Sequence, residues 1–297
     1  MLNRKTEQLS SCGTPVDKVS LREAAQLMAE AQADAAKVVF ACAPELAQAA
    51  KAMAKVIRSG GRLIYVAAGS SGLMAAADAM ELKGTFGISP AQVRILMAGG
   101  VPTTSDMPGD VEDACDTLKA DLADISERDC MIAVTASGST PFTLAAARIA
   151  QQSRTTVVGI ANNGNAPLFD LSDHAILLDT PPELLSGSTR MGAGTAQKIA
   201  LNTLSTLMGV ELGHIYQGMM VNLVADNAKL RERAHAIVRR ISGVDDESAA
   251  RALSLAGADV KLACLLAKGA PSVRAASDAL AAVNGLMGPA ILELGLE

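Results

Sequence analysis

A chain of 297 residues with 49% hydrophobic residues is long enough to bury one large core, or a main core and a smaller one, and too apolar for disorder over most of its length. Its net charge of −5, without a basic stripe, excludes sequence-specific reading of nucleic acid; the mixed stretch Arg231 to Arg240, interrupted by Glu232, reads as a solvated helix face. Aromatic residues make up only 2% and tryptophan is absent, so a ligand must be recognised mainly by hydrogen bonds and charge rather than by ring stacking.

From Ser20 to about Ser59 the chain is Ala-rich and helical, with Asp34, Lys37, Glu45, Lys51 and Lys55 punctuating the apolar pattern. Pro44 fits the first turn of a second helix, where its missing N–H costs little, and Gly60-Gly61 stops that helix. Short apolar runs follow at Arg62–Ala68, Val93–Ala98, Cys130–Ala136 and Thr156–Ala161, with a shorter one at Ala175–Leu178. Such runs suit strands buried on both faces. Helical stretches such as Leu73–Met80 and Phe142–Gln152 alternate with them, so the pattern predicts an α/β fold: a doubly wound parallel sheet of about five strands flanked by helices. After Pro181-Pro182 the pattern is helical again, over about 194–209 and about 219–242. Gly243 to Glu247 reads as a turn feeding a helix cap, and short helices fill the rest, broken near Gly269-Ala-Pro271 and Gly285. The expected organisation is a main domain over 1–240 and a small helical bundle over 241–297.

Two strand ends carry the same chemistry. The first strand runs into Gly69-Ser70-Ser71-Gly72, and the third into Ser137-Gly138-Ser139-Thr140 followed by Pro141. In an open α/β sheet ligands bind beyond the carboxyl ends of the strands. Glycines let backbone N–H groups approach an anion, the following helix presents unpaired N–H groups, and hydroxyls add donors. Ser and Thr are also ordinary N-caps, so either turn alone is ambiguous. First and third strands are neighbours in a flavodoxin-like order, which favours a shared phosphate site. The absence of GxxxxGK[ST] argues against a nucleoside triphosphate.

Carboxylates lie close by in sequence. Asp78 and Glu81 end the helix after the first turn, and Glu112 and Asp113 follow the second strand. Two carboxylates with different environments could divide acid and base roles beside a sugar. The alternative for Glu112 is a first-turn helix carboxylate favoured by the dipole. A third polar cluster, Glu183, Ser188, Thr189 and Arg190, precedes a helix carrying Gln197 and Lys198; it reads either as a helix start or as a substrate-contacting loop.

The five cysteines, Cys12, Cys42, Cys115, Cys130 and Cys264, are scattered without a CxxC and read as free thiols in a reducing compartment. The three histidines lack ligand spacing to them, so no metal is expected. The opening MLNRKTEQLSS lacks the apolar stretch of a signal peptide, and no apolar run reaches the length of a membrane span. A cytoplasmic protein with no membrane or nucleic-acid partner is expected.

At these residues the chain resembles the N-acetylmuramic acid 6-phosphate etherases, members of the sugar isomerase (SIS) superfamily. The resemblance runs over nearly the whole length. It includes Thr6-Glu-Gln8, Val16-Asp-Lys-Val-Ser20, Gly61-Arg-Leu-Ile-Tyr65, Glu81 with Gly84-Thr-Phe-Gly87, Ala98-Gly-Gly100, Glu112-Asp113 and Ala136-Ser-Gly-Ser-Thr-Pro141. Most specific are Ser186-Gly-Ser-Thr-Arg-Met191, Ala193-Gly-Thr-Ala-Gln-Lys198 and Asn202-Thr-Leu-Ser-Thr206, followed by Met220-Val221 and Asn227-Ala-Lys-Leu230.

The resemblance implies an SIS fold, a homodimer with sites near the subunit interface, a phosphorylated amino sugar as ligand, and no cofactor. It implies cleavage of a D-lactyl ether by elimination and hydration. Glu112 would remove the proton at C2, and Glu81 would protonate the departing oxygen. The expected substrate and phosphate contacts are Gly69, Ser70, Ser71, Gly72, Ser137, Gly138, Ser139, Thr140, Glu183, Ser188, Thr189 and Lys198. Leu73, Ser139 and Gly192 stand where the family carries Arg, Arg and Lys, so three cationic positions are missing. An SIS-type sugar-phosphate isomerase and a non-catalytic sugar-phosphate sensor are the competing readings; retention of both glutamates favours the lyase.

Overall fold

The computed structural model describes residues 4–10, 14–107 and 110–296; Cys12 and Gly109 lie outside them. The chain forms two compact units, Met1–Met80 with Ala91–Ser205, and Glu81–Pro90 with Thr206–Glu297. The boundary expected near 240 therefore falls inside the second unit, within a helix.

The first unit opens with α1 (Leu21–Lys37) and α2 (Ala43–Arg58). Ser20 caps α1 by accepting from the Glu23 N–H at 3.3 Å, and Pro44 sits in the first turn of α2 as its sequence requires. Then come β1 (Leu63–Ala67), α3 (Gly69–Phe86), β2 (Val93–Met97), the single turn α4 (Leu118–Asp121), β3 (Cys130–Thr135), α5 (Pro141–Gln152), β4 (Thr156–Ala161), β5 (His174–Leu177) and α6 (Gly192–Glu211). The five strands are all parallel, in the order β2-β1-β3-β4-β5. Every residue of β1 and β3 is buried, as continuous apolar runs demand. Leu63 pairs with Cys130 and Ala67 with Val134, so β1 and β3 end side by side and both turns emerge on one edge.

Charge pins the opposite, amino edge. The Arg62 guanidinium holds Asp129 (Nη2–Oδ2 2.9 Å) and Asp124, and Arg94 also binds Asp124 at 2.8 Å. A second polar clamp lies inside. Asp78, buried, accepts from Tyr65 Oη at 2.9 Å and from Asn202 Nδ2 and Ser205 Oγ at 2.8 Å each. It ties β1, α3 and α6 together. Asp78, one of the acidic residues noted after the first turn, is a structural residue with both oxygens committed.

The second unit holds β6 (Ile215–Tyr216), β7 (Met219–Met220), α7 (Ala228–Ser242), α8 (Asp246–Leu255), α9 (Val260–Ala267), α10 (Val273–Ala282) and α11 (Met287–Glu293). The helix expected from about 219 begins instead at Ala228, where Asn227 caps it by accepting from Leu230 N. Residues 215–220 form an antiparallel hairpin. Asp245, Asp259 and Ser272 cap α8, α9 and α10 in the same way, and Gly243 ends α7 in the left-handed region at φ 74°. Val238, Ala263, Cys264, Leu265 and Ala290 form the centre of this unit's core. Among the described residues, no single helix is long and apolar enough to cross a membrane.

Candidate active site

The first turn is tighter than its sequence suggests. α3 begins at Gly69 itself, with φ of 52°, and the Gly72 N–H donates to Ala68 O at 2.9 Å. Gly69 also leaves room for a side chain from elsewhere in the chain. A methyl group there would collide with Oε1 of Glu112. The Glu112 carboxylate is therefore lodged against the backbone where β1 becomes α3, brought there by the short 3-10 turn Asp110–Asp113. Glu112 is half-buried; burial raises its pKa above the ordinary carboxylate value, and the neighbouring charge of Asp113 adds to the rise. A carboxylate so placed is a stronger base than one in open water. Of the other residues of this turn, Ser70 is half-buried and Ser71 is buried.

One strand away, the second turn is organised around Ser137. Its hydroxyl accepts from the Ser139 N–H at 3.2 Å and from Ser139 Oγ at 3.3 Å. Thr140 stands at the N-cap of α5, but its hydroxyl lies 2.8 Å from Thr135 Oγ1 and makes no bond to the helix's first-turn N–H groups. Those N–H groups and the positive end of a 12-residue helix thus lack a side-chain cap at the mouth of the turn. Gly138, at φ 75°, packs so close to Ala166 that a side chain would clash.

Beside this turn lies a cavity of about 450 Å3 whose lining includes Ser137, Ser139, Asn163, Asn165, Arg4 and Lys5. The amino-terminal segment was not expected here. Asn163 explains its presence: its Nδ2 donates to Thr6 Oγ1 (3.1 Å) and to Ala136 O (2.9 Å), while its Oδ1 accepts from the Lys5 N–H (2.8 Å). Thr6 is buried, and Ser186 Oγ donates to Glu7 O at 3.2 Å. Sequence reasoning had Thr6-Glu-Gln8 only as a family resemblance; nothing local in it points to a cavity.

The remaining expected contacts fare differently. Glu183 is engaged by the helix that it precedes. Its two oxygens accept from Gly192 N at 2.9 Å and Ala193 N at 2.8 Å, and the residue is 4% exposed, so it caps α6. Ser188 and Thr189 are half-buried in the turn before α6, where Thr189 O accepts from Gly194 N at 2.8 Å. Lys198 is exposed on α6. Glu81 is exposed near the end of α3, in the second unit. Gln197, buried on α6, donates to Asn162 Oδ1 at 2.9 Å. Among the described residues, no group of three or more His, Cys, Asp or Glu side chains is placed to hold a metal ion.

Known proteins are similar to this chain in sequence and in fold. The SIS domain profile covers residues 101–207. The N-acetylmuramic acid 6-phosphate etherase of Deinococcus radiodurans is 42% identical over 267 residues, 89% of this chain and 88% of that protein. The etherase of the same name from Geobacillus sp. WCH70 is 36% identical over 297 residues, 98% of this chain and all of that one. Among solved structures, a protein from Bacteroides fragilis assigned to phosphosugar isomerisation in capsule formation superposes with a TM-score of 0.51 at 19% identity, over 64% of this chain and 90% of that one, a likeness of fold. Sequence identity of this extent, over nearly the full length of both partners, makes this chain a member of the N-acetylmuramic acid 6-phosphate etherase family, on an SIS-type five-stranded parallel sheet.

Proposed function

We propose that this protein is a lyase that cleaves the D-lactyl ether of N-acetylmuramic acid 6-phosphate, giving N-acetylglucosamine 6-phosphate and D-lactate. The observation that carries this reading is the Glu112 carboxylate lodged against Gly69, one strand from the neutral, hydroxyl-rich turn at Ser137. Parallel strands lie about 4.8 Å apart. An open-chain sugar whose phosphoryl group occupies the Ser137 turn can therefore extend its C2 toward Glu112. The curated relatives supply the substrate's identity.

The roles that the family resemblance assigns to Glu112 and Glu81 give these steps. Glu112 takes the proton from C2, which is acidic because it lies beside the open-chain aldehyde. Electrons from that bond form the C2–C3 double bond as the C3–O bond breaks. Glu81, as the acid, protonates the departing lactyl oxygen. Water then adds at C3, giving its proton to the Glu81 carboxylate while Glu112 returns its proton to C2. Each positioned proton transfer is worth about 10²–10⁴ in rate. The turns at Gly69 to Gly72 and Ser137 to Thr140 bind and orient the sugar phosphate; Ser188, Thr189 and Lys198 are secondary contacts. We further take the protein as a cytoplasmic homodimer, in keeping with the free thiols of Cys42, Cys115, Cys130 and Cys264.

The test is turnover of N-acetylmuramic acid 6-phosphate in H₂¹⁸O with detection by mass spectrometry. The expected result is one ¹⁸O at C3 of the N-acetylglucosamine 6-phosphate and none in lactate. Glu112→Gln is expected to lose at least about 10²-fold in kcat and the ability to exchange the C2 proton of product with deuterium. Glu81→Gln is expected to lose turnover yet keep that exchange. Isomerised sugar phosphate without lactate would mean an isomerase, and phosphate-dependent binding without any turnover would mean a sensor.

A further inference from the structure

The second turn offers an anion only neutral donors, yet a sugar phosphate is close to a dianion at neutral pH. Hydroxyls and N–H groups at a helix N-terminus can hold such a group, and a charge-assisted bond from the planar fork of an arginine strengthens the hold. The cations lining the cavity beside the turn are Arg4 and Lys5. Lys5 is already committed: its Nζ lies 2.8 Å from Asp179 Oδ1, and its N–H is held by Asn163. Arg4 is exposed, and among the described residues no carboxylate pairs with it. Its backbone is nevertheless held in place, because its carbonyl accepts from Glu7 N at 2.9 Å and the next two residues are pinned by Asn163. The same Asn163 amide binds Ala136 O, immediately before Ser137. One side chain thus fixes both the turn and the segment that carries Arg4.

We propose that Arg4 is the cationic partner of the substrate's phosphoryl group, which lies in the cavity between the Ser137–Thr140 turn, Asn163 to Asn165 and the amino-terminal segment. The proposal rests on the sugar-phosphate reading given above. It places the charge that the turn's own sequence lacks on a segment more than 130 residues earlier in the chain, counted from Arg4 to Ser137.

The experiment compares wild type with Arg4→Met and Arg4→Lys. Two readouts are used: KM and kcat for N-acetylmuramic acid 6-phosphate, and the thermal shift produced by inorganic phosphate. Arg4→Met is expected to raise KM about 10- to 100-fold, with kcat changed less than about threefold, and to abolish the phosphate shift. Arg4→Lys is expected to recover part of both. Because Arg4 is exposed, the unliganded melting temperature of both variants should match wild type. Wild-type KM and an undiminished phosphate shift in Arg4→Met would overturn the proposal while leaving the etherase reading intact. A phosphate shift that disappears in Arg4→Met, in a protein that does not release lactate, would keep the site and sink the etherase reading instead.

Discussion

The pKa of Glu112 is raised first by burial and second by the charge of Asp113, and these two causes can be separated. Asp113 is exposed, so replacing it removes charge without removing packing. Asp113→Asn should lower the Glu112 pKa toward its ordinary value. A base must be deprotonated to act, so the acidic limb of kcat/KM against pH should move to lower pH in the variant. A limb that stays put, or moves up, would mean that the limb reports a different group. Glu112 was singled out by the family resemblance; its local sequence left a first-turn helix carboxylate as the alternative, because its approach to Gly69 joins two distant parts of the chain. Arg4 was not singled out, because what gives it meaning is a contact 158 residues away, between Lys5 N and Asn163. The capping role of Glu183 was hidden for a related reason: it reaches the helix it caps from nine residues upstream of Gly192, outside the spacing of ordinary N-caps.

Elements obey their local chemistry wherever a single residue type decides. Strands β1 and β3 are uninterrupted apolar runs, and their burial follows. Helices α7 to α10 of the second unit are capped by Asn, Asp, Asp and Ser, each three residues before the N–H that it binds, whereas α11 follows Leu286 without a side-chain cap. The β6–β7 hairpin escaped because Met219-Met220-Val221 suits either a strand or a helix, and its turn is Gln217-Gly218 rather than Asn-Gly. Both turn residues have positive φ, 48° and 73°, as a two-residue hairpin of this kind demands. Helix α9 hides a titration. Lys261 is 7% exposed, with its Nζ donating to Gly285 O at 2.9 Å, and burial lowers its pKa to about 8 from the usual 10.5. Below pH 8 the native state carries a buried charge at a cost. Between pH 8 and 10.5 the native state has released the proton that the unfolded chain still holds, so this group makes stability rise with pH. The increment is about 3 kcal/mol at most. Lys261→Met keeps the apolar stem and removes the charge. Urea unfolding at several pH values should show the variant lacking this rise; parallel curves for both proteins would refute it.

At the scale of the whole molecule, the question is what the surface is for. The chain has only six aromatic side chains, four Phe and two Tyr, and a protein so poor in rings has reason to bury each one. Tyr65 is buried on Asp78, and Phe86 and Phe142 are buried as well. Phe40, between α1 and α2, is 82% exposed instead, and Leu21 at the start of α1 is 90% exposed. Singly exposed apolar residues are ordinary, but Phe40 is the most exposed ring of the six and so the natural residue at which to test the homodimer reading. A second copy of the chain is the partner that the homodimer reading supplies, since a two-fold interface presents the same patch from both sides. Light scattering should then give a mass of twice the 30.4 kDa chain, with a melting temperature that rises with protein concentration. Phe40→Asp changes a solvent-facing residue of the isolated chain, so it should leave the subunit folded by circular dichroism while shifting the mass toward the monomer. A wild-type monomer, or a Phe40→Asp protein that stays dimeric at nanomolar concentration, would show that this surface is not the interface. The outcome also bears on the chemistry, because the family resemblance implies sites near the subunit interface. If so, Phe40→Asp should raise KM in step with the fraction of monomer, and restoring the dimer at high protein concentration should restore it.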